Sequence, residues 1–308
     1  MEKLRRGLAI LNGSWAVLRG QPELMVLPII STVAIISLLG AFILIDATTP
    51  ALPKLEVQLK SGWFYAALFL VYLACVFVAV FCNAALIYCA QRSLEGGRAS
   101  LGQGLAAAAA RWPQILGWSI IVATVGLVLK MISNMMRQGN TNKLGFVALV
   151  IGIIVAALAD AIWIAASYFV LPLLVVEGVG PFAAFKRSAE LIRQRWGEAL
   201  VGEGGLGGIA ALCLLPLLGI WVWLVIAIWD AFVAGQAVNA ALIPAALVLT
   251  AAIVAVSVAY ATLAIIFVAG VYSYAVSGNL PGGFGVEQMD LAFKRAPPAS
   301  PAKVNRPA

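Results

Sequence analysis

The chain has 308 residues, 63% of them hydrophobic and only 11% charged, with no histidine and a formal net charge of +7. About a quarter of a soluble domain is charged, so this composition excludes a water-solvated globular fold, and the missing histidine removes the commonest general base and metal ligand. A basic surplus in so apolar a chain points to loops beside anionic headgroups, and no nucleic-acid signature accompanies it.

In chain order, Leu4, Leu8, Leu11, Trp15 and Leu18 come first, a stripe on one helix face with Lys3 and Arg6 opposite and Arg19 at its end. The stretch 24–45 follows, with no Asp, Glu, Lys or Arg. A helix rising 1.5 Å per residue needs about 20 apolar residues to cross some 30 Å of hydrocarbon, so this is a first membrane span. It is too long, and too far from Met1, to be a signal-peptide core, and the first helix is expected to stay attached. Further spans are expected at 64–91, 114–136, 145–176, 202–229 and 242–276. The fold class is therefore all-α: a polytopic bundle of six transmembrane helices forming one domain over 1–295. A proline-rich tail at 296–308 cannot bury enough apolar surface to order itself.

Fifteen of the twenty basic residues lie on one side of these spans: Lys3, Arg5, Arg6, Arg19, Arg92, Arg98, Arg111, Lys186, Arg187, Arg193, Arg195, Lys294, Arg295, Lys303 and Arg306. Lys54, Lys60, Lys130, Arg137 and Lys143 lie on the other. Because basic loops are retained inside, both termini are expected in the cytoplasm. Two further stripes precede the third and fifth spans: Leu101, Leu105, Ala108 and Trp112, then Phe185, Ala189, Ile192 and Trp196. With Trp15, Arg19, Arg111, Lys186, Arg187, Arg193 and Arg195 beside them, these read as interfacial helices lying apolar face down on anionic lipid. Each is followed by a hairpin of two spans, which suggests three repeated units.

Several positions invite chemistry. Asp160 falls near the middle of the fourth span, where a charged carboxylate costs roughly 2.5–3.5 kcal/mol. It is expected to face the bundle interior, to pair or to hold a proton, either as a functional site or as a hydrogen-bonded link between helices. Lys130, in the third span, has a stem long enough to reach the headgroups. Cys75, Cys82 and Cys89 share a helix face at seven-residue spacing; without histidine, packing is the better reading than a metal site. The string from Gly202 to Gly207 matches G-x-G-x-x-G but opens a membrane span instead of following a strand, so Gly204 and Gly208 read as close-packing positions. No catalytic set, metal site or cofactor site is assembled.

Residues 14–19 with Pro22, Glu23, Leu24 and Pro28 carry a resemblance, as do Glu177, Gly178, Phe182, Lys186, Arg187, Ser188 and Ala189 within 172–196, and Tyr274, Ala275, Gly278 and Pro281. They resemble an uncharacterised family of prokaryotic six-helix membrane proteins, more distantly similar to the membrane domain attached to some glycerophosphodiester phosphodiesterases. The resemblance implies a six-helix bundle and no reaction. Two functions remain open: a non-enzymatic membrane protein whose partners are anionic lipids, and a small transporter or lipid-handling permease using Asp160 at the bilayer midplane.

Overall fold

The computed structural model describes residues 14–48, 62–137, 143–195, 200–234 and 241–277. Among these residues there are helices and no strands, as lipid demands: a helix satisfies every backbone N–H and C=O within its own segment. After a helical stretch at 14–20 and a 3-10 turn at Pro22–Met25 come α1 (Val26–Thr48), α2 (Gly62–Leu94), α3 (Leu101–Ala110) and α4 (Trp112–Arg137). They are followed by α5 (Lys143–Ser167), α6 (Pro181–Arg195), α7 (Leu200–Val233) and α8 (Leu242–Ser277). Among the described residues six helices are long and apolar enough to cross a membrane, the pattern of a multi-pass membrane protein. Leu4, Leu8 and Leu11, the hairpin lysines Lys54 and Lys60, Trp196, and the tail at 296–308 lie outside the described residues.

The helices form a row rather than a closed bundle. α2 is the hub, packed by α1, α3, α4 and α8, while α5 rests on α4 and α6 at one end and α7 rests on α8 at the other. The α7–α8 pair carries an interhelical hydrogen bond in which Trp221 Nε1 donates to Thr250 Oγ1 at 2.8 Å. Packing is concentrated where α2 ends. Ala84, Ala85, Leu86, Cys89 and Ala90 are all completely buried there, as a hub surrounded by helices requires. Leu24, Leu27, Ile115, Phe169, Leu173, Leu174, Ile266 and Phe267 join them in the core. We call this the basic end, because the chain segments carrying Arg19, Arg98, Arg111 and Lys186 meet there. Toward the other end α1, α2 and α4 separate, leaving an apolar cavity of about 570 Å³ lined by Leu39, Tyr65, Leu68, Tyr72, Cys75 and Leu127.

Two local devices set the geometry of the basic end. The Ser-x-x-Gln sequence at Ser100 starts α3 with a reciprocal cap: Gln103 N donates to Ser100 Oγ at 3.3 Å, and Ser100 N donates to Gln103 Oε1 at 3.0 Å. Gly104 then lets α3 lie directly on α2, since a Cβ there would come within 2.9 Å of the Ala85 carbonyl oxygen.

The second device breaks the helix of the fourth span, expected over 145–176, near Pro172, a residue that favours a kink. Pro172 has no N–H, and its ring crowds the carbonyl of Tyr168. The helix accordingly stops at Ser167, whose hydroxyl donates back to the Trp163 carbonyl at 2.7 Å. The chain turns at Tyr168 and Phe169, resumes over Val170–Pro172 and widens into a π-helical turn at Leu173–Glu177. Gly178, at φ +69°, closes that turn in a conformation that glycine adopts without strain.

Candidate functional site at the basic end

The break before Pro172 makes a seat for α6. The Phe169 N–H donates to the buried Ser188 Oγ of α6 at 3.0 Å. Ala184, one turn earlier on the same face, is also fully buried. Beside them Phe185 lies against Trp163 of α5 and Trp118 of α4, with ring centroids 5.4 and 6.1 Å away, and the two tryptophans stack at 5.7 Å. Aromatic groupings of this kind contribute about 0.5–1.5 kcal/mol per pair beyond the area they cover.

This corrects the expected docking of α6. Phe185 and Ile192, which the periodicity assigned to lipid, pack against the protein core, because the broken fourth span and the two tryptophans offer a surface of matching shape. What α6 leaves outward is a different stripe: Phe182, 77% exposed, with Lys186 and Arg193 at helical spacing behind it. α3 is seated similarly, with Gly104 and Ala108 buried against α2.

Glu177 ties three elements together at this seat. Its Oε1 accepts from the Tyr272 hydroxyl of α8 at 2.8 Å, and its Oε2 pairs with Arg187 of α6 at 2.6 Å. The glutamate side chain is 18% exposed and the arginine 51%, so the pair sits at the rim of the core. Next to it the Arg111 guanidinium packs over Gly178, filling the space a Cβ would need. Gln91 Nε2 donates to the Ala269 carbonyl at 3.3 Å, and Ser93 Oγ donates to Gln21 Oε1 at 2.5 Å beside a cavity of about 290 Å³ bordered by Gly20 and Arg98. These contacts form a layer that fastens helix ends.

The residues singled out from sequence are dispersed. Trp15 and Arg19 are exposed on the 14–20 helix, the guanidinium 5.8 Å from the indole ring. Trp112 is exposed, Arg111 half-buried, and Lys186 and Arg193 exposed; Arg195 ends α6. Lys130 and Asp160 are both exposed and do not meet. Asp160 does not face the interior, which corrects that expectation. The packed stripe of α5 runs through Gly152, Ala156, Ala159 and Trp163, and Asp160 sits one position off it. Cys82 and Cys89 are buried, Cys75 borders the 570 Å³ cavity, Cys213 is exposed, and all four are free thiols. Gly204 and Gly208 fall within α7, and their packing lies outside the described residues.

Sequence reasoning overlooked Glu177, Tyr272, Gln91 and Ser188 as positioning groups. The available signal was an acid followed directly by glycine at the basic end of a span, with a basic helix starting four residues later.

No curated protein and no solved structure matches the chain. A family model, described as a family of unknown function, DUF6159, matches residues 63–283, from the start of α2 past the end of α8. The match agrees with the resemblance as far as an uncharacterised family and carries nothing about phosphodiesterase-attached membrane domains or a prokaryotic source. It covers the hub helix, the α6 seat and the Glu177 layer together, and the chain belongs to the DUF6159 family.

Proposed function

We propose that this protein works without catalysis at the inner leaflet, holding anionic lipid headgroups at its basic end. The observation that carries the reading is the outward stripe of α6. The helix is fastened to the core through Ala184, Phe185 and Ser188, yet it leaves an apolar side chain, Phe182, beside the cations Lys186 and Arg193. An aromatic group flanked by basic side chains at the ends of membrane spans suits the boundary between acyl chains and phosphates. Trp15 and Arg19 repeat the combination on the 14–20 helix. Each cation near an anionic surface contributes about 1 kcal/mol. The placement in a prokaryotic inner membrane, with both termini in the cytoplasm, rests on the resemblance and on the distribution of basic residues.

The transport reading has less behind it, since the residue it depends on, Asp160, lies on an outer flank of α5. The test uses the full chain in nanodiscs of mixed phosphatidylglycerol and phosphatidylcholine, with retained lipid identified by native mass spectrometry. The wild type is expected to retain phosphatidylglycerol in excess. Lys186→Gln with Arg193→Gln should weaken that preference by roughly 2 kcal/mol. Equal retention of the two lipids by the wild type, or an unchanged preference in the double variant, would contradict the proposal.

A further inference from the structure

The tight packing of the basic end does not continue to the opposite membrane face. α1, α2 and α4 separate there around the cavity of about 570 Å³, whose floor is one face of α2, with Tyr65, Leu68, Tyr72 and Cys75 at helical spacing. Leu39 lines it from α1 and Leu127 from α4. The depth of the cavity follows from Tyr72, whose hydroxyl lies against Gly126 of α4, where a Cβ would come within 3.3 Å of it. Gly126 is roughly 21 Å along α4 from Trp112 at the basic end. Of about 30 Å of hydrocarbon, that depth belongs to the half away from the basic end.

The contents follow by elimination. Water does not enter a space lined by leucine and aromatic rings, and a vacant one of this size would forfeit the contacts of every side chain around it. A hydrocarbon occupant remains. Leu39, Leu68 and Leu127 are 40–45% exposed, so the cavity opens to its surroundings, which at this depth are lipid tails. Its floor from Tyr65 to Cys75 is roughly 15 Å long, half the hydrocarbon thickness and so the reach of a chain from one leaflet. Toward the basic end the floor gives way to the core, where Val80 and Cys82 are buried. A charge stands at the open side as well. Lys130 lies three residues beyond Leu127 on the same face of α4, one turn nearer the far surface, and is exposed. From there its ammonium reaches the headgroups.

We propose that this cavity binds one acyl chain of a phospholipid from the leaflet opposite the basic end, with the phosphate of that lipid paired to Lys130. The chain supplies the apolar contacts that the separated helices lack, and the lysine gives the headgroup a fixed position above it. The site is distinct from the cations of α6, which face the other leaflet.

The experiment uses the full chain in nanodiscs carrying a trace of phosphatidylglycerol with a diazirine in mid-chain, and maps the photolabelled residues by mass spectrometry. Leu39 and Tyr72 should label in clear excess over Leu215, which is exposed on α7 away from the cavity. Cys75→Phe, which fills the space, should lose that excess while keeping its helix content by circular dichroism and its labelling at Leu215. Lys130→Gln, a surface change, should lower labelling of the cavity about fivefold, the effect of one cation at an anionic surface. A diazirine alkane of the same length should label the cavity more weakly than the phospholipid and respond to Cys75→Phe alone. Labelling of Leu39 and Tyr72 no greater than that of Leu215, as when a segment of the chain itself occupies the cavity, would overturn the proposal. So would an excess that survives Cys75→Phe, or phospholipid labelling that matches the alkane and ignores Lys130→Gln.

Discussion

Gly104→Leu is expected to destabilise the protein by about 1–3 kcal/mol in equilibrium unfolding from detergent, the range for forcing atoms into a filled core. The obstruction at this position is largely backbone. A Cβ on Gly104 meets the Ala85 carbonyl oxygen at 2.9 Å and the Cys89 thiol at 2.5 Å, and a helix backbone cannot swing aside as a side-chain tip can. α3 would have to lift from α2, and Cys89, now completely buried, would lose its cover. The reactivity of Cys89 toward a small maleimide should therefore rise in the variant alongside the loss of stability. Wild-type stability together with a protected Cys89 would mean that α3 does not lie on α2 in this way.

Glu177→Ala is expected to cost about 2 kcal/mol, most of it from the Tyr272 side. A hydrogen bond to a charged group contributes about 1.5–3 kcal/mol when partly buried, and Tyr272 is only 3% exposed, so water poorly replaces the lost acceptor. The Arg187 contact contributes less, because its guanidinium is half in solvent and exposed pairs contribute about 0–1 kcal/mol. Glu177→Gln retains an acceptor for Tyr272 and should lose only the smaller part. Combining Glu177→Ala with Arg187→Met in a double-mutant cycle separates the two contributions. If Glu177→Ala unfolds at the same denaturant concentration as the wild type, the glutamate does not join α6 and α8 to the fourth span.

That the chain holds six long apolar helices was legible because it depends on what is absent: stretches such as 24–45 and 242–276 contain no charge, and lipid admits little else. The orientation of each helix was not legible. Between the ends of α5 the one charged residue is Asp160, and the cost of a carboxylate in lipid assigned its flank to the interior, whereas the packed stripe is Gly152, Ala156, Ala159 and Trp163. Periodicity worked better for α6, where it identified a face that is covered. It could not say by what, and the cover is Trp118 and Trp163 instead of headgroups. Pro172 signalled a kink in the fourth span, but a membrane helix often tolerates such a proline, so the full break at Tyr168 and Phe169 did not follow from it. Glu177 looked like an ordinary solvated end of a span, and its partner Tyr272 is 95 residues away, a separation no local pattern reports.

The account depends on six crossings that gather the α3 and α6 connections at one membrane face. Single cysteines in place of Arg98, Lys186 and Ala234, in a chain whose native cysteines are alanine, test it in sealed cells with a membrane-impermeant maleimide. Ala234→Cys, in the connection between α7 and α8, should label in intact cells, and Arg98→Cys and Lys186→Cys should label only after the membrane is opened. Labelling that separates Arg98 from Lys186, or that places Ala234 with them, would contradict the account.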